Sequence, residues 1–270
     1  MIDKILIISL EKDKARRERI YSLIEREPNK SLAKKTAFIK GVHFSKINEE
    51  FLSRNNLDYY RSWPITEQIT KEIEEEYSKE SSIYKVGCGR FYKKELKRGQ
   101  LGCLLGHIQC WREIVSKGYD SALILEDDSF WDKRLSEELE YLKSQKDSWI
   151  KGGIDFCFLG RESHLENREQ EWELDRKYVI PEYSYNSHSY ILTYQGAIKL
   201  LSQEPHKKLM SADEFLGASY SRHPRSDIRQ LIKRNLNAIS LRYNQCLIYQ
   251  ALGENINLTN IEDSGSINET

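Results

Sequence analysis

Ser121-Ala-Leu-Ile-Leu-Glu-Asp-Asp128 is the stretch that decides the fold, because a short apolar run passes directly into three carboxylates. An apolar run of this length is typical of a buried β-strand. In open α/β sheets, ligands bind beyond the carboxyl ends of the strands. The stretch therefore predicts one strand of an α/β sheet, with a candidate binding site at its carboxyl end.

The segments near the N-terminus continue the α/β pattern. Residues 4–10 contain four contiguous apolar residues followed by charge, which predicts a buried parallel strand. Residues 13–24 place apolar side chains on one side and arginines around the rest, as in an amphipathic helix. Residues 36–39 are a second strand candidate, which Gly41 closes. The order is therefore strand, helix, strand.

Further helices and strands follow in alternation. Apolar residues recur at helical spacing between Gly99 and Gly118, and Gly118 stands at a C-cap position. Residues 154–159 and 190–193 are short apolar strand candidates, and the first of them runs into charged residues. Strands that alternate with helices indicate a mainly parallel sheet flanked by helices.

The composition narrows the classes of function. Lysine plus arginine and aspartate plus glutamate number 42 each, so the chain has no net field that would hold nucleic acid or an anionic membrane. No stretch approaches the ~18 apolar residues of a membrane span, and the N-terminal apolar run is too short for a signal peptide. We expect a cytoplasmic chain with no membrane span and no nucleic-acid partner. Five cysteines without framework spacing fit reduced thiols.

One domain with an insertion is the expected organisation. Residues 1–255 carry the strand and helix pattern, and the polar, charged segment at about 45–98 is predicted to be a helical or loop-rich insertion. The polar residues 256–270 are predicted to form a C-terminal tail.

The acidic residues 126–128 are candidates for binding a hard cation. If the strand continues through these residues, alternation of side chains predicts Glu126 and Asp128 on one side, where they can share an ion, and Asp127 on the other. Mg²⁺ or Mn²⁺ held by one or two carboxylates and substrate phosphates is the usual arrangement. The alternative is a solvated acidic turn after the strand.

Two other segments could complete such a site. Asp213 and Glu214 begin a predicted helix, where a carboxylate serves either as a helix N-cap or as a general base. The segment from Ser9 to Arg16 follows the first strand, where a nucleotide would lie in a doubly wound sheet. It contains no glycine-rich phosphate loop, so a diphosphate bound there would need the metal.

The helix that begins near Gly99 could also carry a site for a soft metal ion. Cys103, His107 and Cys110 share one helix face, a spacing that suits Zn²⁺, but a fourth ligand is not evident. Small buried cysteines beside a hydrogen-bonded histidine are the commoner case.

The motifs in this order resemble those of glycosyltransferase family 25, which includes bacterial lipooligosaccharide galactosyltransferases and procollagen galactosyltransferases. The resemblance rests on three segments: Ile8-Ser-Leu-Glu-Lys-Asp-Lys-Ala-Arg-Arg-Glu-Arg19, Gln100-Leu-Gly-Cys-Leu-Leu-Gly-His107 and Ala122-Leu-Ile-Leu-Glu-Asp-Asp128. It continues through Phe158-Leu-Gly160, Ser189-Tyr-Ile-Leu192 and Asp213-Glu-Phe-Leu216. The C-terminal part, with His223-Pro224, looks more like the procollagen branch.

This resemblance implies a GT-A-like nucleotide-binding sheet and an inverting, Mn²⁺-dependent transfer from a UDP-hexose, with Mg²⁺ as the alternative ion. It places the metal on Glu126 and Asp128, and the base on Asp213 or Glu214. The donor would contact a set of six residues: Ser9, Leu10, Arg16, Gly41, Glu126 and Asp127. Gly106 departs from the family, which usually has serine before the helix histidine.

The acceptor implied by the procollagen branch is hydroxylysine in a collagen-like protein, and a bacterial glycan is the alternative. A catalytically inactive sugar-nucleotide-binding module is the main rival that is not an enzyme. A metal-dependent phosphodiesterase would need a second cluster of histidine and aspartate ligands, which the sequence does not show.

Overall fold

The computed structural model describes residues 2–26, 29–79, 81–131, 134–250 and 264–267. Most of the tail predicted at 256–270 therefore lies outside the described residues. The strands are β1 (Lys4–Ser9), β2 (Thr36–Lys40), β3 (Ser121–Glu126), β4 (Ser129–Trp131), β5 (Phe156–Ser163), β6 (Gln170–Glu171), β7 (Tyr178–Ile180), β8 (Ser184–Thr193), β9 (Ala238–Leu241) and β10 (Ile248–Gln250).

The helices complete the order of elements. They are α1 (Lys14–Glu25), α2 (Glu49–Arg54), α3 (Glu67–Glu76), α4 (Arg98–Lys117), α5 (Leu135–Ser144), α6 (Lys146–Lys151), α7 (Tyr194–Leu201), α8 (Ala212–Tyr220) and α9 (Ser226–Leu231). A π-helix at Ile83–Phe91 and several short 3₁₀ turns join them.

The central sheet has eight strands in the order β2-β1-β3-β8-β5-β9-β7-β6. β1 is parallel to β2 and β3, and β5 is parallel to β9, whereas β8 is antiparallel to β3 and β5. Only β7 and β8 run against the other six strands. The predicted α/β, GT-A-like sheet flanked by helices is confirmed.

Alternating side chains divide the core between the two faces of the sheet. In β1, Leu6 and Ile8 pack on one face with α4, α7 and α8, and Ile5 and Ile7 pack on the other with α1, α5 and α6. Both faces are therefore covered, as the unbroken apolar runs of the strands require.

Helix α4 packs against the first face of the sheet. It ends at Gly118, whose positive φ of 66° provides the predicted left-handed cap. At Gly106 an added Cβ would lie 2.6 Å from Ile8 Cγ2, so the helix packs directly on β1 at this point. The serine that the resemblance implies at this position would require Ile8 to move, which explains why glycine suits this chain.

The segment between β2 and α4 contains α2, α3 and the π-helix. Its buried residues Trp63, Ile73 and Tyr92 belong to the same apolar cluster as α4 and α8. The segment is thus packed against the sheet domain, and its treatment as an insertion at about 45–98 remains a prediction.

Strand β5 includes the charged residues Arg161 and Glu162, which were expected to follow it. The strand continues to Ser163, and Arg161 lies wholly buried within it. Its guanidinium pairs with Glu169 at 2.6 Å and donates to the hydroxyls of Ser184 and Ser240. A buried charge that is paired and fully hydrogen-bonded is compatible with a strand interior.

The C-terminal strand β10 lies across the end of the sheet. It pairs antiparallel with β4, and the Ile248 carbonyl oxygen lies within hydrogen-bonding distance of His188 Nε2, at 3.1 Å. An added Cβ at Gly160 would lie 1.8 Å from that same oxygen, so only glycine permits the crossing. This crossing brings Gln250 to the carboxyl end of β3.

Candidate functional site

A cavity of about 330 Å³ lies at the carboxyl ends of β1 and β3. Eight of the nine residues predicted for the site line it, and they are Ser9, Leu10, Arg16, Gly41, Glu126, Asp127, Asp128 and Asp213. Parallel pairing aligns Ile8 with Glu126, so the loops that follow the two strands meet at the same edge of the sheet. The fold therefore brings together segments more than a hundred residues apart in the chain.

Glu126 is held as an anion by polar neighbours. Its Oε1 accepts hydrogen bonds from the Ser187 hydroxyl at 3.1 Å and the Cys103 thiol at 3.7 Å, and it lies 3.3 Å from His107 Nε2. Burial raises the pKa of Glu126, but the hydrogen bond and charge of His107, with smaller contributions from His188 and Ser187, outweigh burial and lower it.

Asp127 faces the first helix of the chain. Its Oδ1 pairs with the Arg16 guanidinium at 2.7 Å, and both side chains are nearly buried. Arg19 donates to the backbone carbonyls of Asp127 and Ser129 and lies over the Phe130 ring. Burial raises the pKa of the Asp127 carboxyl, although Arg16 opposes the shift. These contacts of Arg16 and Arg19 hold helix α1 against the acidic turn.

Of the three carboxylates, Asp128 has the weakest support from hydrogen bonds and opposite charges of the described residues. Its Oδ2 accepts a hydrogen bond from Gln250 Nε2 at 3.1 Å, and its buried Oδ1 has no hydrogen-bond partner among the described residues. Burial and the charge of Glu126 raise the pKa of Asp128 to about 7. Oδ2 of Asp127 is likewise buried and unpartnered within the described ranges. Unpaired carboxylate oxygens in a cavity wall fit a hard divalent cation, which ligates through such oxygens.

Asp213 lies in the first turn of α8 and reaches the same cavity. Ser211 occupies the N-cap, so the N-cap alternative for Asp213 was wrong. The Ser187 backbone N–H donates to Asp213 Oδ1 at 2.7 Å. Burial and the charge of Glu126 raise the pKa of Asp213 to about 6, a value suited to a base near neutral pH.

Glu214 does not line the cavity. It is fully buried, and its carboxylate accepts hydrogen bonds from the Tyr92 and Tyr183 hydroxyls and lies 2.6 Å from His223 Nε2. These contacts occupy both of its oxygens inside the core. Of the two predicted bases, only Asp213 is therefore placed to meet a substrate.

Ser187, Asn186 and Gln250 are among the contributors to the site that the sequence analysis missed. Ser187 and Asn186 come from β8, whose antiparallel direction places its first half beside the carboxyl end of β3. Asn186 adopts a positive φ of 71°, a conformation that asparagine tolerates better than most residues. Gln250 is the last residue of β10, and its side chain contacts Asp128. The apolar pattern of the sequence identifies only the buried second half of β8. The residues around Gln250 form no motif that would assign it to the site.

The structure groups the predicted soft-metal ligands differently. Cys103 and His107 lie with Glu126, and the ligand atoms of these three residues are all within 4.8 Å of one another. Cys110 is buried one turn further along α4 and is not part of this group.

Helices long and apolar enough to cross a membrane are absent from the described part of the chain.

Comparison with known proteins identifies the family. The sequence model of glycosyltransferase family 25, described as an LPS biosynthesis protein, matches residues 2–216. Procollagen galactosyltransferase 1 of Danio rerio is 34% identical over 156 residues, which cover 56% of this chain and 25% of the relative.

Two further relatives carry the name of the same family. A probable inactive glycosyltransferase 25 family member 3 of Rattus norvegicus is 34% identical over 154 residues, covering 55% of this chain and 26% of the relative. A glycosyltransferase 25 family member of Aedes aegypti is 29% identical over 185 residues, covering 66% of this chain and 29% of the relative. The matched part of the chain thus spans between a quarter and a third of the length of these relatives. Because the family match covers most of the chain, including β1, β3 and the acidic turn, the chain belongs to glycosyltransferase family 25 and is related to the procollagen galactosyltransferases.

Proposed function

We propose that the chain transfers a hexose, galactose or glucose, from a UDP-sugar to an acceptor hydroxyl with inversion at the sugar carbon. The observation that carries this proposal is the buried Oδ1 of Asp128, which has no hydrogen-bond partner among the described residues and lies in the same cavity as Asp213. Asp128 forms no ion pair with a described residue, and Asp213 has a pKa that suits a base. A metal-assisted displacement needs both.

The donor side of the cavity is formed by the loops after β1 and β2. The Gly41 backbone N–H donates to the Ser9 carbonyl at 2.9 Å, and Arg17 donates to the Ser9 hydroxyl at 3.1 Å. These bonds fix the edge where Ser9, Leu10 and Gly41 would contact the nucleotide. Arg16 is already paired with Asp127, so it would orient the acidic turn as well as face the diphosphate.

The cation would be held by Asp128 and Glu126, with Mn²⁺ the proposed ion and Mg²⁺ the alternative. When bound, it would neutralise diphosphate charge and stabilise the departing UDP. Gln250 and Ser187 would keep the two carboxylates oriented through the bonds that they already make.

Asp213 is the proposed general base. Its carboxylate would take the proton of the acceptor hydroxyl while the acceptor oxygen bonds to the sugar carbon and the bond from that carbon to UDP breaks. A single displacement of this kind inverts the sugar carbon. The Ser187 N–H would hold the Asp213 carboxylate in place during the transfer.

The proposed acceptor is hydroxylysine of a collagen-like protein, because curated relatives are named procollagen galactosyltransferases. A bacterial glycan is the alternative, because the family as a whole is described as an LPS biosynthesis protein. A sugar-nucleotide-binding module without transfer activity is the second candidate function, since one relative at 34% identity is named probable inactive.

Replacing Asp128 tests the class of enzyme. A panel of UDP-sugars with Mn²⁺ should show UDP release from one hexose donor, and Asp128→Asn should lower the rate by about 100-fold because electrostatic stabilisation of the leaving group is lost. Asp120→Asn is the matched control, since Asp120 is exposed near the opposite end of the same strand. Unchanged turnover in Asp128→Asn would contradict the assignment, and no UDP release with any donor or acceptor would favour the binding module.

Asp213→Asn separates binding from chemistry. The variant should bind UDP with Mn²⁺ as the natural chain does, by calorimetry, while transfer falls about 100-fold or more because the base is absent. An Asp213→Asn protein that keeps full transfer activity would remove Asp213 from the mechanism.

Cation binding should depend on pH. The pKa of Asp128, about 7, lies above its ordinary value, so its ionisation costs the folded protein stability as pH rises through about 7. A bound cation removes this cost. The rise in melting temperature caused by Mn²⁺ should therefore be larger at about pH 8 than at about pH 6, and smaller in Asp128→Asn. An equal rise at both values in the natural chain would show that Asp128 does not bind the ion.

A further inference from the structure

We propose that Cys103, His107 and Glu126 form a second cation site, specific for a thiophilic divalent ion such as Zn²⁺, beside the hard-cation site. The three residues come from α4 and from the end of β3, where the helix packs on the sheet. This group replaces the three-residue set with Cys110 that the helical spacing suggested.

The separations of His107 and Cys103 from Glu126 match tetrahedral coordination, and the three ligand atoms all lie within 4.8 Å of one another. His107 Nε2 lies 3.3 Å from Glu126 Oε1, and Cys103 Sγ lies 3.7 Å from the same oxygen. Ligands at the usual zinc distances, about 2.3 Å for sulfur and about 2.0–2.1 Å for nitrogen and oxygen, are separated by about 3.3 Å for N···O and about 3.6 Å for S···O at the tetrahedral angle. An ion could therefore bind Glu126 together with either of the other two ligands with little change in these two separations.

The histidine is already oriented for coordination. His107 is fully buried, and its Nδ1 lies 2.8 Å from the Tyr190 hydroxyl, which also accepts a hydrogen bond from Trp111 Nε1 at 2.9 Å. Ligating histidines almost always have such a partner on the other ring nitrogen. In the ion-bound form the proton of His107 would lie on Nδ1, and Nε2, which faces Glu126, would give up its proton and offer its lone pair to the ion.

The donor set selects a soft or borderline ion. A thiolate with an imidazole suits Zn²⁺ or Co²⁺, whereas Mg²⁺ and Mn²⁺ prefer oxygen ligands. Binding would release the thiol proton of Cys103 to solvent and would leave all oxidation states unchanged. Cys103 and Glu126 line the cavity, so the fourth coordination position would open toward it.

Sharing of Glu126 couples this site to the proposed reaction. An ion bound to Glu126 Oε1 would compete for the carboxylate with the hard cation, so thiophilic ions should inhibit transfer. Only this consequence rests on the proposed function, because coordination itself depends on the three side chains alone.

Co²⁺ is the probe for coordination. One equivalent added to the full chain under reducing conditions should give a sulfur-to-cobalt charge-transfer band. Cys103→Ser should lose the band and bind Co²⁺ at least about tenfold more weakly, and Cys110→Ser, which alters a buried thiol on the same helix, should keep both. His107→Gln should also lose the band while circular dichroism shows a folded protein. No band in the natural chain, or a band that survives Cys103→Ser, would overturn the proposal.

Inhibition is measured separately, as the ratio of UDP release with and without Zn²⁺ at constant Mn²⁺ within each protein. The natural chain and Cys110→Ser should be inhibited about tenfold more strongly than Cys103→Ser. Equal inhibition of all three would overturn the coupling through Glu126. If no donor is turned over, the proposed function fails, and the cobalt titration still decides whether the site exists.

Discussion

The close packing of three successive carboxylates at the end of β3, two of them buried and Glu126 partly buried, is the constraint on which the rest of the structure depends. Each would be unstable there as an isolated charge, so each requires a compensating group. Glu126 has His107 and Ser187, and Asp127 has Arg16. Within the described ranges, Asp128 has the neutral amide of Gln250 as its hydrogen-bond partner. The incomplete compensation of Asp128 is what makes the turn a candidate cation site and not merely a stable acidic turn.

The compensating groups come from distant parts of the chain, and the sheet order explains how they meet. Antiparallel β8 runs back along β3 and delivers Ser187, whose hydroxyl contacts Glu126 and whose backbone N–H contacts Asp213. The crossing of β10 over Gly160 delivers Gln250. The proposed metal ligands and the proposed base are thus tied to one another through β8, and they share the electrostatic field of Glu126.

The sequence predicted the parts of the site that follow strands, and it missed the parts that depend on strand direction. Apolar runs ending in polar residues located Ser9 and the acidic turn because parallel neighbours bring such ends to one edge. The polar first half of β8 carries no comparable pattern, so Ser187 and Asn186 were not found. Glu214 and Asp213 are adjacent in sequence, and only their packing shows that one lies in the core and the other on the cavity wall.

The central claim is that the acidic turn binds a cation together with the diphosphate of a nucleotide. Calorimetric titration of UDP into the natural chain, with Mn²⁺ and with a chelator, tests it most directly, because coupled binding must strengthen both ligands by the same factor. The account predicts that Mn²⁺ tightens UDP binding at least about tenfold, a coupling of about 1.4 kcal/mol. Equal UDP affinity with Mn²⁺ and with chelator would contradict it.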